Sequence, residues 1–465
     1  MFGVLRLARI RDLEVVPASN RTSMSSLSQQ AANQETARAD AGRHRGALLT
    51  VTTLFFMWGF LTALNDILVP HLKSIFDLNY AEAMLIQFAF FSTYFFFSLP
   101  SGMLIDRIGY QRSMVVGLAL MAVGSAMFPA AASVPSFGLF LSALIVLGTG
   151  ITLLQVAANP YVTVLGPAKT SSSRLNLTQA FNSLGTTIAP YLGSLLILSA
   201  AAKPASELRA MSAHLLHAYR LEQASSVKPP YLGLSMALIL LSLVMATAKL
   251  PAIPQAVRSP SSRGSRDKVW KHRHLVLGAV AIFTYVGAEV AIGSLLVNYF
   301  ELPSIGGLTA ARAARLVSLY WLGAMVGRFI GSWILRYVDT GKLLAFNAVV
   351  ACALLVASIA SSGHLAIASI LLVGLFNSIM FPSIFALGVA ELGPLTGDGS
   401  GVLNMAIVGG AVIPVSAGAL ADRIGIHFAF ILPAVCYLYI LYYALGGSRP
   451  RLAVGRAGSR WEAKC

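Results

Sequence analysis

Apolar runs long enough to cross a membrane recur along almost the whole chain, and they constrain its fold more than any other feature. A helix of about 20 apolar residues spans the roughly 30 Å hydrocarbon core of a bilayer. Twelve such runs are predicted, six on each side of a polar segment: 47–69, 83–105, 113–132, 137–165, 176–200, 231–249, 275–299, 313–335, 343–360, 364–388, 400–420 and 428–447. The sequence therefore predicts an all-α polytopic membrane protein of twelve transmembrane helices in two halves.

The composition agrees with this prediction and excludes a soluble protein. Only 11% of the 465 residues are charged, against about 25% in soluble domains. Two of the three cysteines lie in apolar runs and the third is terminal, so no disulfide framework is expected. The net charge of +16 does not indicate a nucleic-acid partner, because basic residues of a membrane protein mark the loops that face the cytoplasm.

The positions of these basic residues predict the orientation. If the chain begins in the cytoplasm, 25 of its 34 Lys and Arg residues fall on the cytoplasmic side. Both termini are therefore expected in the cytoplasm. The predicted parts are a disordered cytoplasmic tail, a six-helix half, a basic cytoplasmic linker, a second six-helix half and a second cytoplasmic tail: 1–46, 47–249, 250–274, 275–447 and 448–465.

The two halves also resemble one another in sequence. Asn182 and Pro190 in the fifth span are matched by Asn404 and Pro414 in the eleventh. Two six-helix halves in parallel repeat are the architecture of major facilitators, in which the substrate binds at the midplane between the halves.

Two carboxylates, Asp66 and Glu289, fall well inside predicted spans. An ionised Asp at the centre of a lipid-facing helix costs roughly 2.5–3.5 kcal/mol on insertion scales. Each acid is therefore expected to face the bundle interior, where a protonatable group can couple transport to a cation. The alternative is a carboxylate that is merely hydrogen-bonded to a neighbouring helix.

Neutral amides accompany the acids inside the spans. Amides donate and accept hydrogen bonds together, which suits the hydroxyls of a sugar. Alternatively, each amide ties two helices together. The predicted substrate-binding set is Asn65, Gln87, Gln155, Asn159, Asn182, Glu289, Asn377 and Asn404.

A charged segment joins the second and third spans and is predicted to be a conformational motif. Its charges can pair with neighbouring helix ends in one conformation and separate in another. The segment resembles the helix 2–3 motif of major facilitators through Gly102, Asp106, Arg107, Gly109 and Arg112. The chain carries no phosphate loop, metal-ligand cluster or nucleophile triad, so no cofactor, metal site or catalytic residue is predicted.

Several longer segments resemble the fucose and glucose/galactose permease family. They are 63–68, 155–161, 174–177, 179–185, 285–289 and 377–382. The resemblance implies transport by alternating access, with Asp66 in substrate binding and proton coupling. Gln155 stands where fucose permease has a second acid, and Glu289 stands where it has an amide. These two departures resemble the glucose/galactose branch.

The resulting prediction is a hexose symporter of the bacterial inner membrane that takes up glucose or galactose with a cation, H⁺ being favoured over Na⁺. Its partners are the hexose, the cation and the lipid bilayer. The alternatives are a permease for fucose or another sugar, a drug or metabolite exporter of the same fold, and a non-transporting sugar sensor.

Overall fold

The structure is a computed structural model that describes residues 46–63, 80–134, 136–196, 211–225, 227–248, 250–251 and 269–450. Asn65, Asp66 and most of the predicted tails and linker lie outside the described residues. Gln87 lies in a described helix, but its side chain is outside what the structure describes.

The first half of the bundle contains six long helices. A turn of one residue, Gly109, separates the second from the third, and its φ of 88° is strained for any residue with a side chain. The six are α1 (Gly46–Ala63), α2 (Tyr80–Ile108), α3 (Tyr110–Ser133), α4 (Phe137–Val164), α5 (Ser171–Leu196) and α6 (Lys228–Thr247).

The second half also contains six long helices, three of which are interrupted, the last of them at Phe430. They are α7 (Arg273–Glu301), α8 (Ala310–Ile334), α9 (Thr340–Ala360), α10 (Gly363–Gly388), α11 (Gly393–Ile424) and α12 (Ile426–Gly447). The α-helix of α10 ends at Asn377 and resumes at Met380. That of α11 changes to a 3₁₀ turn over Ala406–Val408. Such interruptions leave backbone carbonyls for side chains to bond.

The predicted all-α fold of twelve membrane helices is confirmed. Ten of the described helices are long and apolar enough to cross a membrane. The other two, α5 and α8, are long enough, with 26 and 25 residues, but they carry more polar side chains. A short helix between α5 and α6, Ala213–Ser225, was not predicted, because its polar composition gives no membrane-length apolar run.

Glycines let α1 and α5 pack closely within the first half. A Cβ added at Gly59 would collide with Asn182, and one added at Gly185 would collide with the backbone carbonyl of Phe56. Small residues at a membrane-helix interface allow this backbone approach. The close contact fixes the position of Asn182 relative to α1.

At one end of the bundle, here called the closed end, the two halves touch directly. A Cβ on Gly102 of α2 would lie 2.9 Å from the carbonyl oxygen of Gly397 in α11. Ser400 of α11 donates to the carbonyl of Val156 in α4 at 2.8 Å. At the same end, a second pair of helices meets: Ser173 of α5 donates to the carbonyl of Ser332 in α8. Paired contacts of α2 with α11 and of α5 with α8 thus hold the closed end together.

Candidate functional site

A polar cavity lies between the halves, about one helical turn from the closed end. Tyr94, which lines it, precedes Ser98 of the closed end by four residues in α2, or about 6 Å along a helix. The space between its walls is about 570 Å³ when its open, solvent-filled mouth is included. Its lining residues are Trp58, Gly59, Thr62, Tyr94, Gln155, Gln179, Asn182, Thr186, Tyr285, Val286, Glu289, Arg328, Phe381 and Ile407.

The second half contributes an acid–base pair to this cavity. Glu289 Oε1 of α7 lies 3.8 Å from Arg328 Nη2 of α8, and these side chains are only 13% and 14% exposed. Tyr285, one turn before Glu289, donates its hydroxyl to the same Oε1 at 2.8 Å. The ionised pair adds no net charge to the cavity, which lowers the cost of placing two charges at this depth.

Arg328 also connects the pair to two further elements. Its Nε donates to the carbonyl of Ser378 at 3.1 Å, one of the carbonyls at the interruption of α10. Its Nη1 donates to Ser183 of α5, in the opposite half. One guanidinium therefore binds α7, α10 and α5 at once, using its fixed fork of donors.

The first half contributes neutral amides to the cavity. Gln155 donates to the Tyr94 hydroxyl at 2.7 Å, and Gln179 donates to Asn159 Oδ1 at 3.4 Å. Asn182 donates to the backbone carbonyl of Phe55 at 2.9 Å. Each amide is therefore fixed through one group, and the cavity-facing amides can offer their remaining donors and acceptors to a ligand.

The predicted substrate-binding residues fall into three groups. Gln155, Asn182 and Glu289 line the cavity. Asn159 is fully buried beside Gln179 and does not reach the lining. Asn65 and the side chain of Gln87 lie outside the described residues, as does the predicted coupling residue Asp66.

The other two predicted residues, Asn377 and Asn404, are fully buried away from the lining. Asn377 donates to the Tyr320 hydroxyl at 2.8 Å and accepts from the Tyr437 hydroxyl at 2.6 Å. Asn404 donates to the carbonyl of Ser400 at 2.9 Å. In this conformation Asn377 ties its helix to two others, which is the alternative that the sequence left open, whereas Asn404 bonds to Ser400 of its own helix.

The helix 2–3 motif lies at the closed end, but little of it is loop. Gly102, Asp106 and Arg107 belong to the end of α2, and Arg112 belongs to the first turn of α3. A Cβ on Gly397 would lie 3.1 Å from Asp106 Oδ1, so this carboxylate faces the start of α11. Its negative charge there matches the positive end of a helix dipole. The switching role of the motif stays a prediction.

Arg328 is the main cavity residue that the sequence analysis missed. It lies deep inside the predicted span 313–335, and an ionisable residue at that depth is itself a signal of function. Thr186, Val286 and Ile407 carried no comparable signal. Among the described residues, no three His, Cys, Asp or Glu side chains come together as metal ligands.

Comparisons with known proteins place the chain in a family. A family model described as the Major Facilitator Superfamily matches residues 47–413. The chain is 53% identical to a glucose/galactose transporter of Brucella abortus, over 87% of this chain and 94% of that protein. It is 36% identical to the L-fucose-proton symporter of Escherichia coli, over 87% and 94% of the two chains.

A solved structure agrees with these sequence matches. The fold superposes on the crystal structure of the transporter FucP in the outward conformation with a TM-score of 0.80 and 35% identity, covering 85% of this chain and 97% of that one. With the family match over most of its length, its two six-helix halves and the cavity between them, this chain belongs to the Major Facilitator Superfamily.

Proposed function

We propose that this protein imports a hexose, glucose or galactose, together with a cation by alternating access. The observation that carries the proposal is the composition of the cavity. Amides of one half and an acid–base pair of the other half line the same cavity. Sugar hydroxyls donate and accept hydrogen bonds, so they can pair with amides, with Glu289 and with Arg328.

Aromatic side chains complete the fit to a pyranose. Trp58, Tyr94, Tyr285 and Phe381 line the same cavity as the polar groups. A sugar ring presents C–H groups on its faces and hydroxyls around its edge. Aromatic surface therefore covers the apolar faces while the amides and the charge pair bind the edge.

The identity of the relatives supports the choice of substrate. The Brucella abortus relative is named a glucose/galactose transporter, and the more distant relative is named an L-fucose-proton symporter. Both names describe sugar carriers, which favours a sugar over a drug or another metabolite. The higher identity to the first favours glucose or galactose over fucose.

The direction of the cavity follows from the closed end. The distribution of Lys and Arg supports a closed end on the cytoplasmic side of a bacterial inner membrane, with both termini in the cytoplasm. The conformation is then outward-facing, in agreement with the outward conformation of the structure it superposes on. Opening of the closed end releases the sugar inward.

For cation coupling we propose Asp66 as the principal group and H⁺ as the cation. Glu289 already has a counter-charge in Arg328, which suits the fixed role of a hydroxyl acceptor. Asp66 is the carboxylate that the first half places in a membrane span. An ionised Asp66 opposes reorientation of the empty carrier, and protonation removes that opposition.

Uptake of labelled sugar by a transport-deficient bacterial strain tests this function. Cells that produce the protein are expected to accumulate glucose or galactose above the external concentration and to lose the gradient when an uncoupler is added. An inactive Asp66→Asn protein produced at the same level in the membrane is the control. Failure to accumulate either sugar, with the protein present in the membrane, would contradict the proposal.

A further inference from the structure

A short pattern, Ser-x-x-Leu-Asn, occurs at the start of both α5 and α11. It reads Ser172 to Asn176 in α5 and Ser400 to Asn404 in α11. These helices occupy corresponding places in the two halves, fifth of the first six and fifth of the second six. Both copies lie at the closed end, beside the inter-half contacts described above.

The serine of each copy bonds to the opposite half. Ser172 accepts from the hydroxyl of Thr340 in α9 at 2.9 Å, and Ser400 donates to the carbonyl of Val156 in α4 at 2.8 Å. Both serines are buried, with at most 3% exposed surface. The bonds cross between the halves, so they have to break when the closed end opens.

The asparagine of each copy lies one turn further along and behaves identically in the two helices. Asn176 donates to the carbonyl of Ser172 at 2.9 Å, and Asn404 donates to the carbonyl of Ser400 at 2.9 Å. Both residues are fully buried, and the Oδ1 of each has no hydrogen-bond partner among the residues that the structure describes. These contacts match Asn404 with Asn176, whereas the sequence resemblance had matched it with Asn182.

A buried acceptor without a partner is unfavourable, because it has lost its water and gained nothing in return. Each asparagine shares a helix face with the serine four residues before it, and that serine bonds to the opposite half. We therefore take the penalty to belong to the shut state, since separation of this face from the opposite half would let water reach the oxygen. The serine bond therefore favours the shut state, and the asparagine oxygen one turn away disfavours it. Both effects occur in each half.

We propose that Ser172 and Ser400 are gate residues, which hold the closed end shut during transport. We further propose that Asn176 and Asn404 determine how readily this end reopens. Each serine holds the closed end shut, and each asparagine keeps the shut state from becoming too stable to leave. The inference rests on the proposed alternating access, but it does not depend on which sugar or cation is carried.

A distance measurement across the closed end tests this assignment without any sugar. Spin labels at Lys169→Cys and Arg336→Cys, exposed positions of opposite halves near the closed end, report whether it is shut or open. The native residues Cys352, Cys436 and Cys465 are first replaced by serine. The distance distribution of the purified protein in detergent and in lipid then gives the two populations.

The proposal predicts opposite effects of neighbouring substitutions. Ser172→Ala and Ser400→Ala should each move the population toward the long, open distance. Asn176→Leu and Asn404→Leu remove the unpaired oxygen while retaining a similar side-chain volume, and they should move it toward the short, shut distance. A change of about fivefold or more in the ratio of the two populations is expected in each case.

The signs decide the outcome. If the asparagine variants also favour the open distance, or leave the distribution unchanged while the protein remains folded, the asparagines are not gate residues and the proposal is overturned. Retained size-exclusion behaviour and helical circular dichroism identify the folded variants. If sugar uptake is absent in the wild type but the four shifts occur, the gate assignment stands and the hexose proposal alone fails.

Discussion

The two faces of the cavity differ in charge, although both belong to one repeated architecture. Among the described residues, the first half lines the cavity with neutral amides, hydroxyls and aromatic rings, including Gln155, Gln179 and Asn182. The second half lines it with the Glu289–Arg328 pair and with the apolar side chains Val286, Phe381 and Ile407. The difference indicates separate tasks for the two faces within one cavity.

Hydrogen bonding explains what each face can do. Each amide of the first half is fixed through one group and can offer its remaining donors and acceptors to a sugar hydroxyl. The charge pair of the second half is fixed by Tyr285, by the carbonyl of Ser378 and by Ser183 across the interface. The first face thus suits recognition of the sugar hydroxyls, and the second suits positioning of the sugar. The sequence predicts one further charged residue in the first half, Asp66.

The largest effect is expected from removing that predicted charge. Asp66→Asn should abolish accumulation of sugar against a gradient, because the variant lacks the carboxylate that we propose takes up the proton. Uptake of labelled sugar at equal protein level in the membrane measures it, and Asp422→Asn, at an exposed carboxylate in the last turn of α11, is a matched loss of charge outside the cavity. If Asp66→Asn accumulates sugar to wild-type gradients, Asp66 is not the coupling group.

A large effect is also expected from breaking the charge pair. Glu289→Gln and Arg328→Gln should each lower the free energy of unfolding by about 3–5 kcal/mol, because each leaves its partner charge buried and uncompensated. The double variant, which buries no lone charge, should be more stable than either single variant. Thermal unfolding of the purified wild type, the two single variants and the double variant measures these differences in stability.

A transport assay of the same variants separates coupling from binding. If Glu289 is chiefly a hydroxyl acceptor, Glu289→Gln loses both sugar exchange and accumulation, and a higher sugar concentration restores part of each. Persistent exchange combined with lost accumulation and lost pH dependence would instead make Glu289 the coupling residue. Ser183→Ala is the control, since it removes the bond across the halves and leaves the pair intact.

Smaller effects are expected from the amides. Asn182→Ala should weaken sugar binding by about 1–3 kcal/mol, because it removes a group that lines the cavity. Asn377→Ala should lower the melting temperature and leave the affinity close to that of the wild type, because Asn377 lies between two tyrosines away from the lining. Equal losses of affinity in the two variants would contradict the placement of Asn377.

The sequence predicted the helices better than the contacts between them. Twelve spans follow from hydropathy because the bilayer demands length and apolarity of every spanning helix. The same reasoning cannot tell which partner a buried amide finds. Gln155 and Asn377 look alike in sequence, yet one lines the cavity and the other pairs with Tyr320 and Tyr437.

Arg328 shows a second limit of the sequence. Its importance depends on the interruption of α10, which leaves the carbonyl of Ser378 available, and on the approach of α5. Neither the interruption nor that contact is visible in the hydropathy of α10 or α5. The depth of a charged residue could be predicted, but its three simultaneous partners could not.

Sugar-driven proton movement in proteoliposomes tests the central claim most directly. Purified protein is reconstituted with a pH-sensitive dye inside the vesicles, and glucose or galactose is added outside with no imposed voltage or Na⁺. The interior is expected to acidify with the wild type and to keep its pH with Asp66→Asn. Entry of labelled sugar into wild-type vesicles without acidification, or entry that requires Na⁺, would contradict proton symport through this cavity.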